Sequence, residues 1–202
     1  AFVALFLAVL DPGDPIVLTR PDYPAYRNPL AALGAHIIDL PCGPDTRFQP
    51  TVDKLAHMQP TPRAVIVTSP DNPSGTIIDL GELRRIAGWC EEFGYLFISD
   101  EIFHDISYGR PCASARDYSH RAVTVGSLSK YFSMTGWRLG WLIVPDDLVE
   151  PLENLEANLA LCPPAISQYA ALEAFTPESR VELDAHVADY ARARDVLLQE
   201  LP

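Results

Sequence analysis

Six short apolar or β-branched runs constrain this chain more than any other feature: IVLT (16–19), HIIDL (36–40), AVIVT (64–68), YLFIS (95–99), AVTVG (122–126) and LGWLIV (139–144). Their hydrophobicity is near-continuous rather than alternating, the pattern of strands covered on both faces. Helix-period segments separate several of them. In DLGELRRIAGWCEEF (79–93), Asp79 stands where an N-cap is needed and Gly94 where the helix must stop. Residues 24–33, entered through YPAY, form another. Alternating strands and helices predict an α/β fold, a three-layer sandwich around a mostly parallel sheet with right-handed crossovers. LGWLIV follows its predecessor too closely for a helical crossover and is expected to run antiparallel. Beyond Pro145 the pattern becomes helical: 146–160, 165–175 after the Cys162-Pro163-Pro164 break, and one long helix over 178–200. The chain thus divides into a large domain, 1–145, and a segment, 146–202, of connecting helices and the start of a smaller domain.

Composition removes several function classes. Hydrophobic residues make up 48% and charged residues 21%, enough to bury a core. The net charge of −12, with no basic run, argues against nucleic acid and anionic membrane surfaces as partners and leaves small ligands. Cys42, Cys90, Cys112 and Cys162 form no C-x-x-C pair, so free thiols in a reducing cytoplasm are expected and no metal site is. The opening AFVALFLAVL lacks a basic flank and is about half the roughly 20 residues a membrane span requires, so it reads as a buried helix. The chain starts without Met and stops within a helical pattern; both ends are expected to be cuts in a longer protein.

In an open parallel sheet, ligands gather where strands end. IVLT is followed by RPDYPAY, AVIVT by SPDNPSGT, YLFIS by DEIFHD and AVTVG by SLSK. One edge would then display an aromatic ring, an amide, a carboxylate and an amine. Asp100 sits among apolar residues, where a carboxylate must find a cation or donors; a helix cap is the ordinary alternative. Asn72 lies in an N-P-x-G turn and has an amide to donate. Either Tyr23 or Tyr26 offers a ring for stacking. Of thirteen arginines and two lysines, Lys130 and Arg138 are the charges in the otherwise uncharged run from Ala122 to Pro145. A lysine nucleophile must spend time uncharged, which partial burial and a nearby cation promote. Arg138, with Ser127 and Ser129, suits a phosphate. Each element has an ordinary explanation taken singly, but together they describe the needs of pyridoxal 5′-phosphate.

SLSKYFSMTGWRLG (127–140) resembles throughout the lysine-attachment motif of the class I/II aminotransferases of the aspartate aminotransferase superfamily. SPDNPSGT (69–76), SDEIFHDISYG (99–109) and DPGDPIVLTRPDYPAY (11–26) are similar to its other landmarks, in order and at suitable spacings. The resemblance implies that Lys130 forms the Schiff base with pyridoxal phosphate and shuttles the proton between the substrate α-carbon and C4′. It implies that Asp100 partners the pyridine nitrogen, Asn72 donates to the 3-oxygen, Tyr23 stacks on the ring, and Ser127 and Arg138 bind the phosphate. It further implies an amino acid and a 2-oxo acid as substrates, a homodimer, and a parent roughly twice this length whose phosphate-binding loop lies upstream of Ala1.

One residue departs from the pattern: Phe103 occupies a position where the family usually has a tyrosine hydroxyl near the 3-oxygen. A slower or altered reaction is the expectation. Carbon–sulfur lyases and other pyridoxal-phosphate enzymes share these landmarks, and some regulators carry an aminotransferase-like sensor domain, so those remain the alternatives to transamination. His104 is expected to be structural or solvent-facing.

Overall fold

The computed structural model describes residues 1–201. Its strands are β1 (Pro15–Arg20), β2 (His36–Pro41), β3 (Ala64–Thr68), β4 (Leu96–Asp100), β5 (Val123–Ser127) and β6 (Gly140–Ile143). They form one sheet in the order β2-β1-β3-β4-β5-β6, parallel except for β6, which is antiparallel to β5 as expected. The helices are α1 (Phe2–Val9), α2 (Pro24–Ala32), α3 (Val52–Leu55), α4 (Leu80–Phe93), α5 (Asp146–Leu159), α6 (Ala165–Ala174) and α7 (Pro177–Glu200).

Alternation along the central strands sends side chains to two cores. Val17, Val65, Val67 and Phe97 pack with Leu83, Ile86 and Cys90 of α4. Ile16, Leu18, Ile66, Ile98 and Val125 face the other way, onto Leu5 and Phe6 of α1, Tyr26 and Leu30 of α2 and Leu152 of α5. These are the three layers the sequence predicts. Local signals set the ends of α4: Asp79 Oδ1 accepts from the amides of Gly81 (2.9 Å) and Glu82 (3.1 Å), and Gly94 closes the helix at φ 71°.

The structure differs from the sequence reading in one place and adds to it in two. Coverage on both faces holds for β1, β3, β4 and β5, but β2 alternates between buried and exposed, and Trp141 and Ile143 of β6 are exposed. β2 and β6 are the outer strands of the described sheet, and an apolar run carries no mark of where in a sheet it will lie. The connection from β4 to β5 contains no α-helix; it is a loop with a 3₁₀ turn at Ala115–Asp117. Glu101 pins that loop by accepting from Ser114 Oγ (3.1 Å) and the Ala115 amide (2.9 Å). Finally, the single turn α3, capped by Thr51, was not foreseen.

The β5–β6 pairing depends on two glycines. A Cβ on Gly126 would overlap the Trp141 indole, and one on Gly140 would lie 2.6 Å from the Gly126 carbonyl oxygen. With both bare, the strands close up and the chain turns sharply through 128–139.

Candidate functional site

β1 has β2 on one side and β3 on the other, so successive strands are added in opposite directions from it. The carboxyl ends of the strands beside such a reversal form a crevice. Tyr23 follows β1 by three residues, Asn72 follows β3 by four, Asp100 ends β4, and Lys130 follows β5 by three. Thr68 is directly opposite Asp100 in the ladder.

Asp100 is only 1% exposed and forms no ion pair among the described residues. Its Oδ1 accepts from the Ile102 amide at 3.1 Å, and its Oδ2 accepts from the Tyr26 hydroxyl, which also lies 2.9 Å from Thr68 Oγ1. Burial pushes the Asp100 carboxyl up to about 6; the Tyr26 and Ile102 hydrogen bonds pull it back, Glu101 raises it, and the nearby Lys130 charge lowers it. The Tyr26 phenol is raised far above its ordinary value, first by burial and then by Asp100, so it remains a donor.

Lys130 is half-buried in the turn after β5, between the buried side chains of Leu128 and Tyr131. The turn is internally bonded: the Ser133 amide donates to the Lys130 carbonyl (3.0 Å) and the Met134 amide to the Leu128 carbonyl (2.9 Å). Lys130 Nζ lies 5.2 Å from the centre of the Phe103 ring. Ser127 Oγ accepts from the Ser129 amide at 3.0 Å.

Arg138 has left-handed backbone (φ 55°), donates to the Thr135 carbonyl at 2.9 Å, and pairs with no carboxylate among the described residues. It lines a groove of about 780 Å³ that runs between Ala1, Trp141 and the Cys162–Pro164 turn. The structure therefore groups Lys130, Ser127 and Asp100, and sets Arg138 toward the start of α1. A second cavity, about 370 Å³, lies at the amino ends of the strands beside Arg63 and Arg121, away from these groups.

Tyr23 is 41% exposed and meets Tyr26 edge-on at 5.6 Å, leaving ring surface free. Charges staple its loop: Arg20 bonds Asp22 (3.0 Å) and Asp39 (3.0 Å), and Arg27 bonds Asp22 (3.2 Å) and Asp39. Asn72 sits in a turn closed by Gly75 N donating to the Asp71 carbonyl (2.9 Å), with Asp71 Oδ2 accepting from the Ser74 amide (3.0 Å). The Asn72 side chain makes no hydrogen bond among the described residues. His104 approaches Glu101 at 3.7 Å and is otherwise peripheral.

Two residues escaped the sequence reading. Tyr26 was one of two interchangeable rings, yet it is the buried one that holds Asp100. Pro24 marks where α2 starts but not which face carries Tyr26, so the chain alone does not separate it from Tyr23. Thr68 had no signal beyond ending a strand.

A twisted, mostly parallel α/β sheet that gathers a buried carboxylate, a half-buried amine and an unpaired guanidinium along its carboxyl edge defines a class of ligand-binding sheet protein. Within it, this chain belongs to the family described as aminotransferase class I and II, whose family model matches residues 1–202. It is 49% identical over 202 residues to the valine–pyruvate aminotransferase of Mycobacterium tuberculosis, covering 99% of this chain and 52% of that protein. It is 30% identical to the aspartate/prephenate aminotransferase of Thermus thermophilus, covering 100% of this chain and 53% of that one. The crystal structure of an aminotransferase from Mycobacterium tuberculosis superposes with a TM-score of 0.96 at 48% identity, over 98% of this chain and 55% of the other. The chain spans about half the length of the curated relatives it matches.

Proposed function

We propose that the full-length protein is a pyridoxal-phosphate-dependent aminotransferase that moves an amino group between an amino acid and a 2-oxo acid. In this reading, residues 1–145 belong to its cofactor-binding large domain, and 146–202 are connecting helices and the start of a small domain. Asp100 carries the reading. A buried carboxylate without an ion-pair partner is costly, and a protonated ring nitrogen offsets that cost. The donor set fits the cofactor: an amine beside that carboxylate, an exposed ring face, an unengaged amide and an unpaired guanidinium.

When bound, pyridoxal phosphate supplies an electron-withdrawing ring that takes up the electron pair of the substrate Cα–H bond. The chain's own residues do the rest. Asp100, when ionised, would hold the proton on the ring nitrogen. The Lys130 amine would hold the cofactor through its aldehyde carbon and, when free, would be the base that carries the proton at the substrate α-carbon. Asn72 would donate to the 3-oxygen, Tyr23 would cover the ring, and Ser127 and Arg138 would bind the phosphate.

The exposed apolar side chains of α6, Ile166, Tyr169 and Leu172, supply surface for further chain or a second copy, and a homodimer is part of the proposal. The four unpaired cysteines fit a cytoplasmic location. No helix among the described residues is long and apolar enough to cross a membrane. The 49% identity to a valine–pyruvate aminotransferase makes valine and pyruvate the first substrate pair to try.

The test combines borohydride reduction of the full-length protein with pyridoxal phosphate, peptide mapping, and a Lys130→Ala control. An adduct confined to Lys130, and alanine formed from valine or another donor with pyruvate, are expected. Scattered labelling would sink the cofactor assignment, and ammonia release without alanine would sink transamination.

A further inference from the structure

Helix α7 is 24 residues long, yet only Leu183 of it is buried. Against the described residues, its seating rests on polar contacts more than on apolar packing. Tyr131, 2% exposed as a residue, donates through its hydroxyl to Asp184 Oδ1 at 2.6 Å in a partly buried bond. One turn earlier on the same helix face, the Arg180 guanidinium lies 5.4 Å from the centre of the same ring and pairs with Asp105 at 3.1 Å. A buried phenol needs a hydrogen-bond partner, whereas an exposed ion pair such as Arg180–Asp105 contributes little alone. The Tyr131–Asp184 bond is the stronger link.

These contacts close a circuit around the amine. Tyr131 follows Lys130 directly. Asp105 belongs to the loop that leaves Asp100 and carries Phe103, and the Phe103 ring is 5.2 Å from Lys130 Nζ. Both loops that flank the amine are thus tied to two residues one turn apart on α7.

We propose that Tyr131 is a positioning residue for Lys130, anchored by Asp184 and Arg180, so that the seating of α7 sets how the Lys130 amine is presented beside Phe103. Its functional meaning rests on the reading of Lys130 as the cofactor-bearing lysine. If the Asp184 bond is lost, the 128–134 turn keeps its internal bonds but not its tie to α7, and the amine is freer to leave the Phe103 ring.

Competitive acetylation of the cofactor-free, full-length protein tests this, with Lys54, held at 3.1 Å by Asp45, as the internal reference. In Tyr131→Phe and in Asp184→Ala, labelling of Lys130 relative to Lys54 should rise about fivefold, the effect of one net hydrogen bond on an open–closed equilibrium. The double variant should rise no further, because both changes cut the same link. A purely structural role would lower the unfolding midpoint and leave the ratio unmoved. An unchanged ratio, or effects that add, overturns the proposal. Asp184→Ala lies on the exposed helix and gives the answer even if Tyr131→Phe fails to fold. Borohydride trapping in the wild-type protein runs alongside: absence of an adduct at Lys130 would overturn the cofactor reading, while the labelling ratio still decides the role of Tyr131.

Discussion

Replacing Asp100 by Asn should make the cofactor-free protein more stable and cofactor capture worse. Burial moves the Asp100 carboxyl from 3.8 to about 6. Between those values the folded state holds a proton that the unfolded chain has released, so stability from this group falls as pH rises and is fully lost above about 6. At about 1.4 kcal/mol per pH unit, the ionised carboxylate costs the fold as much as about 3 kcal/mol. Asn is nearly isosteric with the neutral acid. Its oxygen can accept from the Ile102 amide, and its NH₂ can donate to the Tyr26 oxygen while that hydroxyl turns to Thr68. Urea unfolding of both proteins without cofactor, at pH 4, 6 and 8, isolates the effect. The variant should match wild type at pH 4 and exceed it by about 2–3 kcal/mol at pH 8, with most of the gap opening below pH 6. A wild type that is the more stable at pH 8, or a gap that does not change with pH, would refute the account of Asp100 as an unpaired buried anion. Pyridoxal phosphate should be trapped at Lys130 far less by the variant at pH 8.

Tyr26→Phe removes a donor that stabilises ionised Asp100, so the carboxyl should titrate above 6, read by carbon-13 NMR of the Asp100 side chain; an unchanged or lower midpoint would contradict the hydrogen bond. Gly126→Ala should cost about 1–3 kcal/mol in urea unfolding, because the new methyl displaces Trp141, and most of the loss should vanish with Trp141→Ala added. Phe103→Tyr places a hydroxyl beside the Lys130 amine and should shift the pH midpoint of the absorbance change of the cofactor-loaded protein; an identical midpoint would show that the missing hydroxyl is immaterial.

What the sequence made legible follows from the range of the interactions involved. The strands, α4 and its caps are written in residues close together, so Asp79 and Gly94 could be assigned from the chain alone. Asp100 was legible as a buried carboxylate because the apolar runs Tyr95–Ile98 and Ile102–Phe103 lie within a few residues on either side of it. Position within the sheet was not, since Trp141 and Ile143 would read the same in a central strand. Nor was Tyr26 separable from Tyr23, because the partner that distinguishes them, Asp100, lies 74 residues away. The bond from Tyr131 to Asp184, 53 residues on, leaves no local trace at all.

Strain and charge point to the same edge of the sheet. Of the seven non-glycine residues described with positive φ, four lie in the two loops that flank Asp100 and Lys130: Asp105, Tyr108, Ser133 and Arg138. Left-handed backbone costs an ordinary residue about 1–2 kcal/mol. None of the four is needed to cover a core. These loops adjoin the buried carboxylate that ends β4 and include Arg138, which pairs with no carboxylate among the described residues. A chain selected for stability alone would place glycine or asparagine at those turns and an amide at Asp100. Strained turns and unpaired charges are features that candidate sites share, and here they flank the half-buried amine of Lys130, which is the group the proposed function puts to the test.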